Sequence, residues 1–187
     1  YVGAVTGPIS DSLAYSIAGN WYETDGWMES NTGADLNAAQ DWNARGKLLW
    51  LPIETLSLQL TVAHVDRDDS CCAADATQTA AVTDQLITQG LPVPKNDAFN
   101  YKNNVNVDSN FEMESEAVNV KIDYELDTAV LTSLTAWNDY DYKTSTDADR
   151  SQLDVLGIID DKYSGEQYSQ EFRLTSDLDG AWQYMAG

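Results

Sequence analysis

Apolar and polar residues alternate with a period of two along most of the chain, which is the pattern of β-strands with unlike faces. It predicts eight strands: Tyr1 to Val5, Leu13 to Trp27, Asp41 to Leu51, Leu56 to Asp66, Glu116 to Leu126, Ala129 to Thr144, Glu166 to Thr175 and Ala181 to Gly187. The stretch "LAYSIAGNWYETDGW", Leu13 to Trp27, runs well past the roughly 5–6 residues of an ordinary strand. The connections alternate in length. Short turns are expected at 6–10 ("TGPIS"), 52–55 ("PIET"), 127–128 and 176–180 ("SDLDG"), and long loops at 28–40, 67–115 and 145–165. In an antiparallel up-and-down meander this rhythm gathers the tight turns at one end and the long loops at the other, as in outer-membrane barrels.

The strand faces carry the idea further. Trp42, Ala44, Gly46, Leu48 and Trp50 share one face, and Asn43, Arg45 and Lys47 the other. The two tryptophans stand eight residues apart, roughly 27 Å at ~3.4 Å per residue, close to the ~25 Å apolar band that aromatic girdles bracket in a membrane barrel. The row Leu56, Leu58, Leu60, Val62 opposes Ser57, Gln59, Thr61, and the row Val118, Val120, Ile122, Tyr124, Leu126 opposes Asn119, Lys121, Asp123, Glu125. A soluble sandwich would bury the same apolar rows in its core, so alternation alone does not choose between lipid and core. Strand length and the one-sided loops favour lipid. The expected fold is therefore all-β: an antiparallel meander of about eight strands from a larger transmembrane barrel, one partial barrel domain over 1–187, with the three long loops extracellular.

Charge narrows the function. With 31 acidic and 10 basic residues the formal charge is −21, which repels phosphate backbones and excludes nucleic acid as a partner. The longest apolar run, "LLWLPI" (Leu48 to Ile53), is far short of the 18 or so residues of a membrane-spanning helix, and the N-terminus has no basic-then-apolar export pattern. The ends, "YVGAV" and "WQYMAG", read as lying within strands, which suggests a piece of something larger.

Candidate chemistry is sparse. Cys71 and Cys72 are adjacent in "DRDDSCCAAD", a spacing that fits neither a redox CxxC nor a zinc knuckle; they could form a strained vicinal disulfide or stay as free thiols. His64 is the only histidine and has no nucleophile motif near it, so it reads as a surface or interface residue, and the chain does not read as an enzyme. "NNVNVDSN" approaches a calcium loop at Asn104, Asn106 and Asp108 but lacks the turn glycine and closing glutamate, and "TDADRSQLDVLGIIDDK" has Gln152 in the glycine's place. Solvated acidic loops are the expectation there, and no metal or cofactor is implied. Ala76 to Gln89 could form a short helix with Val82, Leu86 and Ile87 on one side, closed by "GLPVP" and capping its loop against the barrel rim.

The segments "GPISDSLAYSIAGNWYETDGW", "DWNARGKLLWLP", "LSLQLTVAHVDRDD" and "YSQEFRLTS", the last leading through a turn to "WQYMAG", resemble the barrel of TonB-dependent outer-membrane receptors. The resemblance covers nearly the whole chain apart from loop 73–115. It implies a parent barrel of about 22 strands around a plug, located in the bacterial outer membrane, which takes up a scarce small-molecule nutrient when TonB acts on the plug. This chain would supply roughly a third of that barrel, with partners in the surrounding lipid, the plug and the remaining strands. Arg45, Lys47, Lys121, Asp123, Glu171 and Arg173 would face the lumen, and Trp42 and Trp50 would form the lipid girdle. A small eight-stranded adhesin or anchor barrel and a soluble carbohydrate-binding module are the alternatives.

Overall fold

The structure is a computed structural model that describes residues 1–187 except 32, 71–77, 94, 96, 98, 156, 157, 179 and 180. Its elements in chain order are β1 (Val2–Ser10), β2 (Leu13–Thr24), β3 (Met28–Ser30), β4 (Asp35–Leu36), β5 (Ala39–Ile53), β6 (Leu56–Asp69), α1 (Ala80–Gln89), β7 (Lys102–Asn103), β8 (Asn110–Leu126), β9 (Ala129–Asp147), β10 (Ile158–Ser176) and β11 (Met185–Ala186). Eight of these strands form one sheet in the order β1-β2-β5-β6-β8-β9-β10-β11, antiparallel throughout, as the alternation predicts. The turns at 11–12, 54–55 and 127–128 lie at one end, and the connections 25–38, 70–109 and 148–157 at the other.

Boundaries differ from the expectation in a consistent way. "TGPIS" is not a turn: Thr6 to Pro8 pair with Ser16 to Ala14, and the reversal is confined to Asp11 and Ser12. Pro8 has no N–H to donate, which an edge strand tolerates. At the loop end the strands run further than the polarity pattern suggests. β8 begins at Asn110 and β10 at Ile158, because β9 continues to Asp147 and supplies backbone partners on both sides. β9 and β10 have 19 residues each and β8 has 17, against the ~9–11 that cross a bilayer. The last predicted strand shrinks to Met185 and Ala186, paired with Thr175 and Leu174.

Neither alternative architecture fits this sheet. β1 and β11 occupy opposite edges, so the eight strands do not close into a small barrel. Among the described residues no second large sheet covers either face, and apolar side chains such as Ile17 (54% exposed) and Phe172 (61%) stand open to the surroundings. A sandwich core would bury them.

The long connections build a cap of their own. β3 pairs with β4 and, in parallel, with β7, so loops far apart in sequence share a three-stranded sheet whose core is Met28, Leu36 and Val105. Helix α1 starts at Thr79, whose hydroxyl accepts the Val82 N–H, and stops at Gly90, which takes a left-handed conformation (φ 70°) that glycine adopts without strain. Leu86 is fully buried, whereas Ile87 is 62% exposed, so only part of the expected apolar stripe packs. Gln78 donates to the Arg150 carbonyl at 3.1 Å and joins this segment to the last long connection.

The two calcium-like stretches also meet in the cap, and they are only partly solvated: Asn104, Ser109, Asp147 and Ser151 are buried, whereas Asn106, Arg150, Asp154 and Val155 are exposed. Asp147 is 3% exposed and accepts backbone N–H bonds from Asn106, Asp149 and Arg150. Burial pushes its carboxyl above the usual range, against the downward pull of these amides. Asp149 accepts from the Ser151 N–H and hydroxyl and from Val155. These carboxylates are turn-formers, occupied by backbone donors. Cys71 and Cys72 lie outside the described residues.

Candidate functional site

The register sorts the sheet into two faces. Trp42, Leu48 and Trp50 of β5 pair with Asp66, Leu60 and Leu58 of β6, which continue to Val120 and Ile122 of β8 and to Phe172 of β10. On β2, Leu13, Tyr15, Ile17 and Trp21 belong to the same face through their pairs Trp50, Leu48, Gly46 and Trp42. This is the apolar face. Its upper limit is an oblique aromatic line: Trp42 packs on His64 with ring centroids 4.5 Å apart, His64 Nδ1 lies 3.6 Å from Glu116, and Trp137 and Tyr168 both donate to Glu166. Towards the loops, this face turns acidic, with Asp66, Asp68, Glu112, Glu114, Asp139 and Asp141 at successive pairing positions.

The opposite face carries Asn43, Arg45 and Lys47, then Gln59 and Thr61, Asn119, Lys121 and Asp123, and Ser169, Glu171 and Arg173. Near the loop end it changes character. Phe111, Tyr142 and Tyr163 stand side by side on β8, β9 and β10, with centroids 5.4 Å and 5.0 Å apart, the two tyrosines nearly parallel at 11°. The Arg67 guanidinium on β6 lies 5.6 Å from the Phe111 centroid, so a cation and three aromatic rings form one row across four adjacent strands. The next tyrosine down, Tyr140, lies over Gly165; a Cβ there would stand 2.7 Å from the ring, which is why only glycine leaves this contact open.

Arg67 is held in place by acids. It bonds Asp69 at 2.7 Å and stands 3.3 Å from Asp41 Oδ1 without the alignment of a hydrogen bond. Asp69 is 4% exposed and its Oδ1 has no hydrogen-bond partner. Burial, then the charge of Asp69, holds the Asp41 carboxyl above its ordinary range despite the opposing pull of Arg67.

The fold matches solved structures closely enough to place it. The ferric yersiniabactin uptake receptor FyuA from Yersinia pestis superposes over 95% of this chain with a TM-score of 0.72 at 19% identity. The outer membrane transporter YddB from Escherichia coli superposes over 93% with a TM-score of 0.51 at 16% identity. The fold is that of part of the large β-barrel these two proteins share. The chain spans about a quarter of either protein, 25% of FyuA and 22% of YddB. No family model matches the sequence, and no curated protein does so in sequence comparison.

Within this barrel fold the charged residues singled out from sequence share one face but do not converge. Lys121 pairs with Asp123 at 2.7 Å, and Asp123 also accepts from Thr132 at 2.7 Å. Arg173 pairs with Glu171 on its own strand. Arg45 and Lys47 of β5 lie two strands from Lys121 and four from Arg173, opposite Ala63 and Thr61. The two ion pairs and these two cations are spread along the polar face rather than gathered at one point. Trp42 and Trp50 do share the other face. The aromatic row escaped the sequence reading because Phe111 and Tyr163 fall in stretches assigned to loops, and only strand pairing brings them beside Tyr142.

Proposed function

We propose that this chain is part of a TonB-dependent receptor of the bacterial outer membrane, with its apolar face towards lipid, its polar face towards the lumen and plug, and its long loops outside the cell. The observation that carries the reading is the pairing of strands of up to 19 residues with an apolar band that ends at an aromatic line and gives way to acids on the loop side only. A soluble sheet has no reason to change from apolar to acidic at one level across neighbouring strands, as β6 and β8 do here.

In this orientation the row Arg67, Phe111, Tyr142 and Tyr163 stands in the outer vestibule, above the membrane and below the loop cap. It offers stacking faces to a planar ligand and a cation beside them. FyuA is an uptake receptor for ferric yersiniabactin, and for this chain a small planar molecule is the cargo the row suits. TonB would act through the plug of the parent, and the paired charges Lys121–Asp123 and Arg173–Glu171 would line the plug's path.

The test is cysteine labelling in intact cells with a membrane-impermeant maleimide, in a background with Cys71 and Cys72 changed to serine. Asp154→Cys, in the last long connection, should label on intact cells, and Asp127→Cys, in a tight turn, only after lysis. The opposite pattern, or equal labelling of both, would overturn the orientation.

A further inference from the structure

We propose that His64, Glu114 and Glu116 form a divalent transition-metal site on the apolar face, at the boundary between its apolar band and its acidic margin. The three side chains come from β6 and β8, and their ligand atoms all lie within 4.8 Å of one another. His64 pairs directly with Glu116, and Glu114 stands at the next same-face position of β8. Two features of the histidine distinguish the trio from a run of surface acids. Its ring is fixed by Trp42 at 4.5 Å, and Nδ1 is the nitrogen turned to Glu116, at 3.6 Å.

One imidazole nitrogen and two carboxylate oxygens are a donor set for the borderline divalent metals, bound at about 2.0–2.2 Å. Drawing the atoms from their present spacing to a common ion takes only rotamer adjustment, since the Glu116 side chain is 57% exposed. The surroundings favour a cation. Asp66, Asp139 and Asp141 occupy neighbouring positions of this face, while Lys143 bonds Glu112 one step further out. Three protein ligands leave coordination positions open to the outside, where a water or an anionic group of the surroundings completes the shell. The site goes beyond uptake, and its geometry stands whether or not the receptor reading holds.

The experiment titrates the parent barrel that contains this chain in detergent micelles with Zn²⁺ by calorimetry and with Ni²⁺ by tryptophan fluorescence, in millimolar Mg²⁺ to mask diffuse attraction to acids. A saturable component with one ion per chain is expected, weakened at least about tenfold by His64→Gln and by Glu114→Gln. Asp139→Asn, an equally acidic neighbour outside the trio, should change it less than about twofold. Trp42→Phe should keep the calorimetric binding and lose most of the Ni²⁺ quenching. Binding indifferent to His64→Gln, a loss in Asp139→Asn as large as in Glu114→Gln, or no unit-stoichiometry component would overturn the proposal.

Discussion

A charge placed at Leu60 tests the facing of the sheet more directly than any other change. Leu60 lies between Leu48 and Val120 on the apolar face, 39% exposed, with no polar side chain at either pairing position. It is four residues from His64, which packs against Trp42 at the aromatic line. Four residues are roughly 14 Å along the strand, or about 10–11 Å of depth at a tilt near 40°, close to the middle of a ~25 Å band. There Leu60→Arg should cost about 2–4 kcal/mol, one and a half to three orders of magnitude in the folding equilibrium. Gln59→Arg sits on the opposite face between Leu49 and Lys121, where water or polar partners are at hand, and should cost under about 1 kcal/mol. The assay is equilibrium refolding of the parent barrel that contains this chain into lipid vesicles against urea, followed by tryptophan fluorescence. Equal costs, or a larger cost at Gln59, would refute the assignment of the apolar face to lipid.

Leu86 has no exposed surface, so Leu86→Ala should cost the cap about 2–4 kcal/mol and raise amide exchange over residues 80–90 while the exchange of β8 to β10 stays unchanged. Because the folded Asp41 carboxyl binds its proton more tightly than the unfolded chain does, stability should fall as pH rises from the ordinary carboxylate value of about 4 through the raised one; Asp41→Asn should remove this loss, and denaturation curves at pH 4 and pH 7 that shift alike in both proteins would contradict it. Tyr142→Ala interrupts the aromatic row between its two neighbours and should weaken binding of a planar cargo about two- to tenfold, from the ~0.5–1.5 kcal/mol of an aromatic contact, with unchanged labelling of Asp154→Cys at the cell surface. Asp149→Ala removes the acceptor of the Ser151 and Val155 hydrogen bonds and should open the 148–157 connection to proteases without altering the sheet.

Period-two alternation and the spacing of turn residues were sufficient to determine eight strands, their antiparallel order and the two faces. Each depends only on residues near in sequence, since a strand's side chains take opposite sides by backbone geometry alone. Trp42 and Trp50 on one side and Lys121, Asp123, Glu171 and Arg173 on the other needed no partner strand to be assigned. The strand ends towards the loops were not legible, because Phe111 and Ile159 to Tyr163 sit among polar and acidic residues that read as loop and become strand only where β9 supplies hydrogen-bonding partners. For the same reason the aromatic row and the His64, Glu114, Glu116 trio are products of register: the strands that supply them are separated by 20 to 50 residues or so, and no local motif joins His64 to the two glutamates or the rings to one another. Tertiary structure also decided the fate of the acidic loops. Asp147 looks like a solvent-exposed charge in a list of residues, and the fold turns it inward to accept backbone N–H groups of the packed connections, while Asp149, partly exposed, accepts from Ser151 and Val155 beside it.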